Sequence, residues 1–350
     1  MACPRQDGRD GCHAQPQAER RERGAPPATL SGVSSIERVI RRHRLFLRRR
    51  DLLALGYSDG QLRWALRTRR IFRVRQGWYS LPEAPDAAVR AVRVGGRLTS
   101  LSALESYGLR VPRRGILHVS VPSTACRLRS PTNRRERLNS SAAVTVHWSP
   151  RSMGGSPWRV SVAEALRVVL TTETRDVAVA CCSAALHHKL VTPRSLDAVF
   201  AQSPDRVQHW RALVSAADES HGETFVRLWL GDARVPCEQQ PRIPGVGRLD
   251  FRLGRRLYFE VDGGQHDPEW TGDSPSTYEH DHDRDTSAAI LGDRVMRVTY
   301  RQLYSDWPRV LAAIERAIAD DEALSAYRRQ HPYRPRTQRK RRRSLPERSP

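Results

Sequence analysis

The chain has 350 residues, a formal net charge of +22 and a mean hydropathy of −0.62. No stretch approaches the about 18 apolar residues that span a bilayer, and the N-terminus lacks the apolar core of a secretory signal. The six cysteines form no Cys-x-x-Cys pair, which argues against a zinc ribbon and a disulfide scaffold. We therefore expect a cytoplasmic protein with no membrane partner and no small-molecule cofactor.

The charge is divided unevenly along the chain. Residues 1–150 carry a net charge of +18, residues 151–200 carry +2, residues 201–327 carry −7 and residues 328–350 carry +9. A basic front indicates a polyanion partner, DNA above all, because neutralising phosphates releases counterions. The alternative is an arginine-rich composition that only keeps the surface soluble. The acidic stretch indicates either a metal site or a solvated face.

The composition shifts predict five segments and an α+β and α/β multidomain architecture. Both ends are polar and lack periodicity, so we expect residues 1–33 and the basic tail 328–350 to be disordered. The tail is able to touch nucleic acid non-specifically, or it serves solubility alone. Between the ends, residues 34–95, 96–217 and 218–327 are predicted to form three domains.

The first predicted domain reads as helix, helix, turn, helix and hairpin, the layout of a winged helix-turn-helix. Its third helix follows the capping-box spacing of Ser58 and Gln61, and a tight turn at Gln76-Gly77 joins the hairpin strands. The predicted elements are a helix from Ser35 to about Arg44, a helix from Arg49 to Leu55, the third helix, and strands Ile71–Val74 and Trp78–Leu81.

The third helix and the wing of this domain are rich in arginine. A recognition helix lies in the major groove of DNA while flanking arginines hold phosphates. The alternative is an interaction module that never touches DNA. The predicted DNA-binding residues are Arg63, Arg67, Arg69, Arg70, Arg73 and Arg75.

Residues 96–217 alternate short strands and helices and show no catalytic constellation. Ser100 is predicted to cap a helix that ends at Gly108, and Thr192-Pro193 has the pattern of a helix start. Strands are predicted over Leu117–Val121, Val144–Trp148 and Trp158–Val160, and further helices near Ser161, near Asp176 and over residues 205–217.

Residues 34–217 resemble the AbiEi-type antitoxins, the regulatory half of type IV toxin–antitoxin systems. The resemblance is carried by Arg50-Asp51-Leu52, Gly56-Tyr57-Ser58, the wing sequence from Arg73 to Leu81, and Ser102-Ala103-Leu104 before Gly108-Leu109. It implies a DNA-binding winged helix followed by an effector-like domain, and a cognate toxin as a possible partner.

The acidic domain contains two predicted strands around Gly254. With a three-residue loop, Leu249 faces Val261, Phe251 faces Phe259 and Leu253 faces Leu257, so that one face is wholly apolar. On the other face Asp250 lies across from Glu260, with Asp262 two residues further along. Opposed like charges destabilise a sheet, and a divalent cation would offset them. Carboxylate oxygens suit Mg²⁺ or Mn²⁺ rather than zinc.

Residues 218–327 resemble the Vsr-like (very-short-patch-repair) endonuclease domains of the PD-(D/E)XK superfamily. Asp262 stands where many members have Lys. The matching residues are Ser220 and Glu223 on the leading helix, Asp250, Glu260-Val261-Asp262-Gly263, His266, Arg284-Asp285 and Arg297. The resemblance implies an αβββαβ core in which metal-activated water attacks a DNA phosphodiester.

The resemblance also implies roles for six catalytic residues. Asp250, Glu260 and Asp262 would hold Mg²⁺ or Mn²⁺, with Glu223 contributing from the helix. His266 is a candidate general base or phosphate contact, and Arg284 would brace the site or the phosphate. Two hypotheses follow: a DNA-binding protein with a metal-dependent endonuclease domain, acting in phage defence, toxin–antitoxin regulation or DNA repair, and a transcriptional regulator whose nuclease fold is inactive.

Overall fold

The computed structural model of the protein describes residues 35–112, 115–140, 142–149, 154–262 and 286–330. These residues form helices and small sheets in two structural units that divide between Ala84 and Pro85. This confirms the expected α+β character. The predicted segment 1–33 lies outside the described residues. No helix among the described residues combines the length and the apolar character needed to cross a membrane.

The first unit is built from three short helices and an antiparallel sheet of order β1-β3-β2. Its buried core includes Ile40, Leu52 and Leu62, one from each helix. The Ser58–Gln61 capping box is present, as the sequence predicts. The elements are α1 (Ile36–Arg42), β1 (Phe46–Arg48), α2 (Arg49–Ala54), α3 (Asp59–Arg67), β2 (Phe72–Arg75) and β3 (Trp78–Ser80).

The second unit begins with an α/β portion around a three-stranded sheet of order β4-β5-β6. Its first strands and helices are α4 (Asp86–Val94), β4 (Arg97–Leu98), α5 (Ser100–Ser106), β5 (Leu117–Pro122) and β6 (Val144–Ser149). Helices α6 (Val162–Thr172), α7 (Arg175–His187), α8 (Pro193–Ala201) and α9 (Asp205–Gln208) follow, with a 3-10 turn at His209–Leu213.

Three local predictions in this portion are wrong. The helix predicted over residues 205–217 divides into α9 and the 3-10 turn, and it ends at Leu213. The other two errors share a cause. The cap of α5 is Thr99 rather than Ser100, which is the first helical residue and has a φ of 49°. Residues 158–160 make only isolated bridges, and the third strand of the sheet is β4. In both cases the pairing of Leu98 and Thr99 with distant backbone decides the outcome, as in the hydrogen bond from the Thr99 N–H to the His118 carbonyl.

The same unit continues into a four-stranded sheet of order β12-β11-β10-β7, in which β11 and β12 are parallel. Residues 286–291 are also helical. The other elements of this portion are α10 (His221–Asp232), β7 (Glu238–Gln239), β8 (Arg242–Ile243), β9 (Gly247–Arg248), β10 (Phe251–Arg252), β11 (Leu257–Asp262), β12 (Arg294–Thr299), α11 (Tyr300–Ser305) and α12 (Trp307–Gln330).

The register of the β10–β11 hairpin agrees with the sequence prediction. Phe251 pairs with Phe259, and the Leu253 N–H donates to the Leu257 carbonyl at 2.9 Å. Phe251 and Phe259 are fully buried, in a cluster with residues of α10, β12 and α12. A register shifted by one residue would turn these rings to the other face of the sheet. Burial of apolar surface contributes about 25 cal/mol per Å² and therefore favours the observed register.

Leu249 departs from the predicted apolar face. It packs in a second cluster with Ile243, Val246 and Tyr258, on the other side of the sheet. The chain bends at Asp250, so the alternation of side chains that holds within β10 does not extend back to Leu249. The opposite face of the hairpin is therefore partly apolar, and the acidic residues lie at one end of it.

Candidate functional site

Glu223 is placed by the start of α10. Ser220 caps this helix by accepting a hydrogen bond from the Glu223 N–H at 3.1 Å, and the Glu223 carboxylate accepts one from the Glu219 N–H at 3.1 Å. Glu223 is only 7% exposed. Gly222 lets the ring of Tyr300 lie against the helix, because an added Cβ would come within 2.5 Å of that ring. The carboxylate is thus held rigidly and away from bulk water.

Asp250 lies at the bend before β10 and is tied to the central strand. Its carboxylate accepts a hydrogen bond from the Val261 N–H at 2.7 Å, and its backbone carbonyl accepts one from Gln240 at 2.8 Å. The side chain therefore lies beside the end of β11 that carries Glu260 and Asp262.

Glu260 lies on β11 and pairs in register with Arg297 on the parallel strand β12. The Arg297 Nε donates to the Glu260 carboxylate at 2.9 Å, and the Glu260 side chain is 16% exposed. The sequence resemblance includes Arg297 but not this ion pair. Arg297 therefore supplies part of the positive charge that we expected a divalent cation to provide.

The carboxylates influence one another electrostatically. Burial, followed by repulsion from Asp250, raises the pKa of Glu223 to about 7. Burial also raises the pKa of Asp250 to about 6, against the hydrogen bond from Val261 and with a further contribution from Glu260. Burial and like charges both disfavour the ionised form. Strongly shifted pKa values of this kind are concentrated at functional sites of proteins.

The structure brings Glu223, Asp250 and Glu260 into one neighbourhood. Asp262 is the last residue of β11, beside Thr299 of β12, and its side chain lies outside the described parts of the protein. His266 and Arg284 also lie outside the described residues. Across the described ranges no group of three His, Cys, Asp or Glu side chains has the geometry of a metal site. The predicted metal set therefore stays a prediction.

The predicted DNA-binding arginines all belong to the first unit. Arg63 and Arg67 are exposed on α3, and Arg73 is exposed on β2. Arg70 lies over the ring of Trp64 at 4.9 Å and pairs with Glu37 at 3.0 Å, so its charge is already partly neutralised. Arg75 is half-buried on β2, and Arg69 is exposed with a φ of 56° just after α3.

The β4-β5-β6 sheet contains a histidine pair that was not predicted from the sequence. His118 on β5 and His147 on β6 approach to 3.0 Å between Nδ1 and Nε2, with ring centroids 5.3 Å apart. They line a cleft of about 470 Å³ together with Leu101 and Glu173. Both predicted strands contained a histidine, but nothing local in the sequence fixes the register of two parallel strands.

No family model matches the chain, and no curated protein matches it. Among solved structures, the homing endonuclease I-Bth0305I catalytic domain is 19% identical over 27% of this chain and 89% of that chain, with a TM-score of 0.23. The RV2827C protein from Mycobacterium tuberculosis is 12% identical over 59% of this chain and 82% of that chain, with a TM-score of 0.27. At these TM-scores, neither likeness bears on the function of this chain.

Proposed function

We propose that residues 218–327 form a Vsr-like, metal-dependent endonuclease domain of the PD-(D/E)XK type that hydrolyses DNA phosphodiesters. The observation that carries the proposal is the convergence of Glu223, Asp250 and Glu260 at one end of the β10–β11 hairpin. Glu223 and Asp250 are held there although burial, followed by repulsion from neighbouring carboxylates, raises the pKa of each. A purely structural role would favour neutral side chains at these positions.

The donor chemistry of this neighbourhood fits Mg²⁺ or Mn²⁺. The donors are carboxylate oxygens, and a cation would relieve the repulsion between Asp250 and its acidic neighbours. Asp250, Glu260 and Asp262 would hold the ion, with Glu223 contributing from α10. Such an ion, when bound, stabilises charge on a phosphodiester and lowers the pKa of water.

The protein's own residues have separable tasks in this proposal. The Val261 N–H and Arg297 fix the orientations of the Asp250 and Glu260 carboxylates. A Glu223 pKa of about 7 allows that carboxylate to take up or release a proton near neutral pH. His266 would act as a general base or phosphate contact, and Arg284 would brace the site or the phosphate.

The first unit is proposed to bind DNA as a winged helix-turn-helix. The support is the exposure of Arg63 and Arg67 on α3, the proposed recognition helix, and of Arg73 on the β2–β3 hairpin, the proposed wing. Side chains on such a helix reach the major groove while the wing contacts phosphates. Arg70 is the weakest of the six candidates because of its contact with Glu37.

A second function is favoured by the ion pair between Glu260 and Arg297, which already compensates one of the three carboxylates. Together with Asp262 at the position of the usual Lys, this pairing suits an AbiEi-like transcriptional regulator with an inactive nuclease fold. In that case the protein would bind promoter DNA without cutting it, and a cognate toxin would be its partner.

The decisive experiment is nicking of supercoiled plasmid by the full chain with Mg²⁺ or Mn²⁺. Wild type is expected to nick the plasmid. Glu260→Ala and Asp250→Asn are each expected to lower the nicking rate at least about 100-fold. Glu322→Ala, on the exposed side of α12, is expected to nick at the wild-type rate. Equal rates in all four proteins would rule out the nuclease assignment. Absence of nicking together with intact DNA binding would favour the regulator.

A further inference from the structure

We infer that a cleft at the opposite end of the β10–β11 hairpin binds the phosphate backbone of DNA. The inference rests on the DNA-binding part of the proposed function and adds a second contact site on the nuclease-like portion. The cleft has a volume of about 590 Å³, and its lining residues are Arg252, Arg255, Arg256, Ser325, Arg328 and Arg329. We call it the arginine cleft.

The charge of the arginine cleft is opposite in sign to the net charge of the segment that supplies most of it. Residues 201–327 carry a net charge of −7, yet they supply three of the five lining arginines, and the lining contains no acidic residue. Arg328 and Arg329 lie in the last turn of α12, where the helix dipole favours cations. The dipole does not account for the arginines of the hairpin, which come from a separate element and converge on the same space.

The hairpin turn is fixed against α12 by a buried carboxylate. Asp321 is 2% exposed and accepts hydrogen bonds from the backbone N–H groups of Arg255 at 2.8 Å and Arg256 at 3.2 Å. A Cβ on Gly254 would lie 2.6 Å from the Asp321 Oδ2, so glycine permits this close approach. The Asp321 carboxylate therefore binds backbone N–H groups rather than guanidinium groups, and both arginine side chains remain at the surface.

Several guanidinium groups of the cleft are oriented by carbonyl oxygens, which hold them without cancelling their charge. Arg256 donates to the Leu291 carbonyl, Arg328 to the Gly292 carbonyl at 3.5 Å, and Arg252 to the Gly254 carbonyl at 3.0 Å. Carboxylates also face two of them, Glu238 at 3.2 Å from Arg252 and Asp293 at 3.5 Å from Arg256.

The remaining charge suits a polyanion. Arg255 and Arg329 are exposed and have no carboxylate partner within the described ranges. Planar guanidinium groups bind phosphate oxygens in a bidentate manner, which favours a phosphate ligand over an apolar one. Five arginines carry more positive charge than a single phosphate can neutralise, which favours a chain of phosphates.

The position of the cleft would allow one bound DNA strand to extend from the arginines to the carboxylates. Arg256 and Glu260 are four residues apart along the hairpin, which is roughly 13 Å at the rise of a β-strand. Duplex DNA covers that length in about four base pairs. A backbone held at Arg255 and Arg256 would thus be within reach of Asp250 and Glu260 a few nucleotides further along.

The test is the salt dependence of duplex binding by the full chain, measured by fluorescence anisotropy in EDTA so that cleavage plays no part. The variant is Arg255→Gln with Arg329→Gln, and the control is Arg309→Gln with Arg316→Gln, two exposed arginines of α12 outside the cleft. Loss of two phosphate contacts should lower the slope of log K against log salt by about 1.8 and the affinity at 0.1 M salt by at least about 10-fold. The control should keep the wild-type slope.

Further arms separate the possible outcomes. Arg255→Lys with Arg329→Lys should retain most of the slope, because a lysine ammonium still neutralises phosphate. A wild-type slope in the Gln variant would overturn the inference. So would displacement of DNA by millimolar inorganic phosphate at constant ionic strength, which would indicate a small-anion site.

The inference and the nuclease assignment fail separately. A wild-type slope in the Gln variant of a protein that nicks DNA would remove the arginine cleft and leave the endonuclease assignment standing. If the wild-type protein does not nick DNA but the Gln variant has a lower salt slope, the result supports the arginine cleft and rules out the endonuclease assignment.

Discussion

Glu223 illustrates how a single buried carboxylate connects stability with function. Its pKa is raised to about 7, so the folded state holds its proton more tightly than the unfolded state does. The stability contributed by that proton is fully present below the ordinary glutamate pKa and is lost as the pH rises through 7. Above pH 7 the ionised and buried carboxylate therefore destabilises the folded protein.

We expect Glu223→Gln to stabilise the metal-free protein at pH 8. The amide removes the buried charge and its oxygen can still accept the Glu219 N–H, so the free energy of unfolding should rise by on the order of 2 kcal/mol. Urea unfolding in EDTA at pH 8 and pH 5 measures this, and the gain should nearly vanish at pH 5. Glu322→Gln, on the exposed side of α12, is the control. A variant less stable than wild type at pH 8 would contradict the role given to burial.

His118 should give the opposite pH dependence. Burial and the neighbouring His147 lower its pKa to about 4, so the unfolded state binds its proton first and stability falls as the pH drops below the ordinary histidine pKa. Between pH 7 and pH 5 this costs about 2 kcal/mol, and Glu173 is the acidic residue that lines the same cleft.

The measurement is urea unfolding of wild type and His118→Gln across this pH range. The variant should lose about 2 kcal/mol less than wild type, while His209→Gln, at an exposed position, should follow wild type. Parallel pH profiles for all three proteins would show that His118 is not held neutral.

At the scale of elements, the sequence predicted those features that depend on neighbours in the chain. The Ser58–Gln61 capping box and the β10–β11 register follow from short-range spacing and alternation, and both are present. Strand β1 was missed because its three residues follow a basic helical stretch, and its pairing of Phe46 with Ser80 spans the whole unit. Leu249 was assigned to the wrong face because alternation cannot reveal a bend.

Helix α4 and strand β4 meet at Gly96, where sterics make a sharp prediction. A Cβ there would lie 2.1 Å from the Ser120 carbonyl oxygen and within 2.8 Å of the Val119 and Val121 side chains of β5. Gly96→Ala must push the backbone of β4 away from β5, and we expect a loss of about 3 kcal/mol in unfolding free energy.

Gly60 on α3 is the matched comparison for Gly96. A Cβ there meets nothing closer than the Ser58 Oγ at 3.7 Å, so Gly60→Ala should stabilise by roughly 0.5–1 kcal/mol through helix propensity. Thermal unfolding of both variants checks the pair. Equal changes in stability from the two substitutions would show that β4 and β5 are not packed closely enough at Gly96 to exclude a Cβ.

For the whole molecule, the sequence predicted where charge accumulates but not where it converges. Alternation along the acidic stretch placed Asp250 opposite Glu260, and the observed pairing of Phe251 with Phe259 agrees with that placement. The Arg297 partner of Glu260 and the meeting of Arg255 with Arg329 depend on strand order and helix docking, which spacing along the chain does not encode. The net charge of residues 201–327 therefore does not reveal a basic cleft to which three of their arginines contribute.

The basic tail offers the last prediction, because residues 331–350 contain eight Lys and Arg residues and α12 runs as far as Gln330. A chain ending at Gln330 should keep the melting temperature of wild type, since the core cluster of the described residues around α12 extends no further than Ile318. If the tail grips phosphate, the salt slope of duplex binding should fall by several units, with an upper limit of about 7. A full-length chain with those eight residues replaced by Gln should behave as the truncated one does, because charge rather than length is responsible. An unchanged slope with lower solubility would assign the tail to solubility, and the proposed DNA contacts would then be those of α3, the β2–β3 hairpin and the arginine cleft.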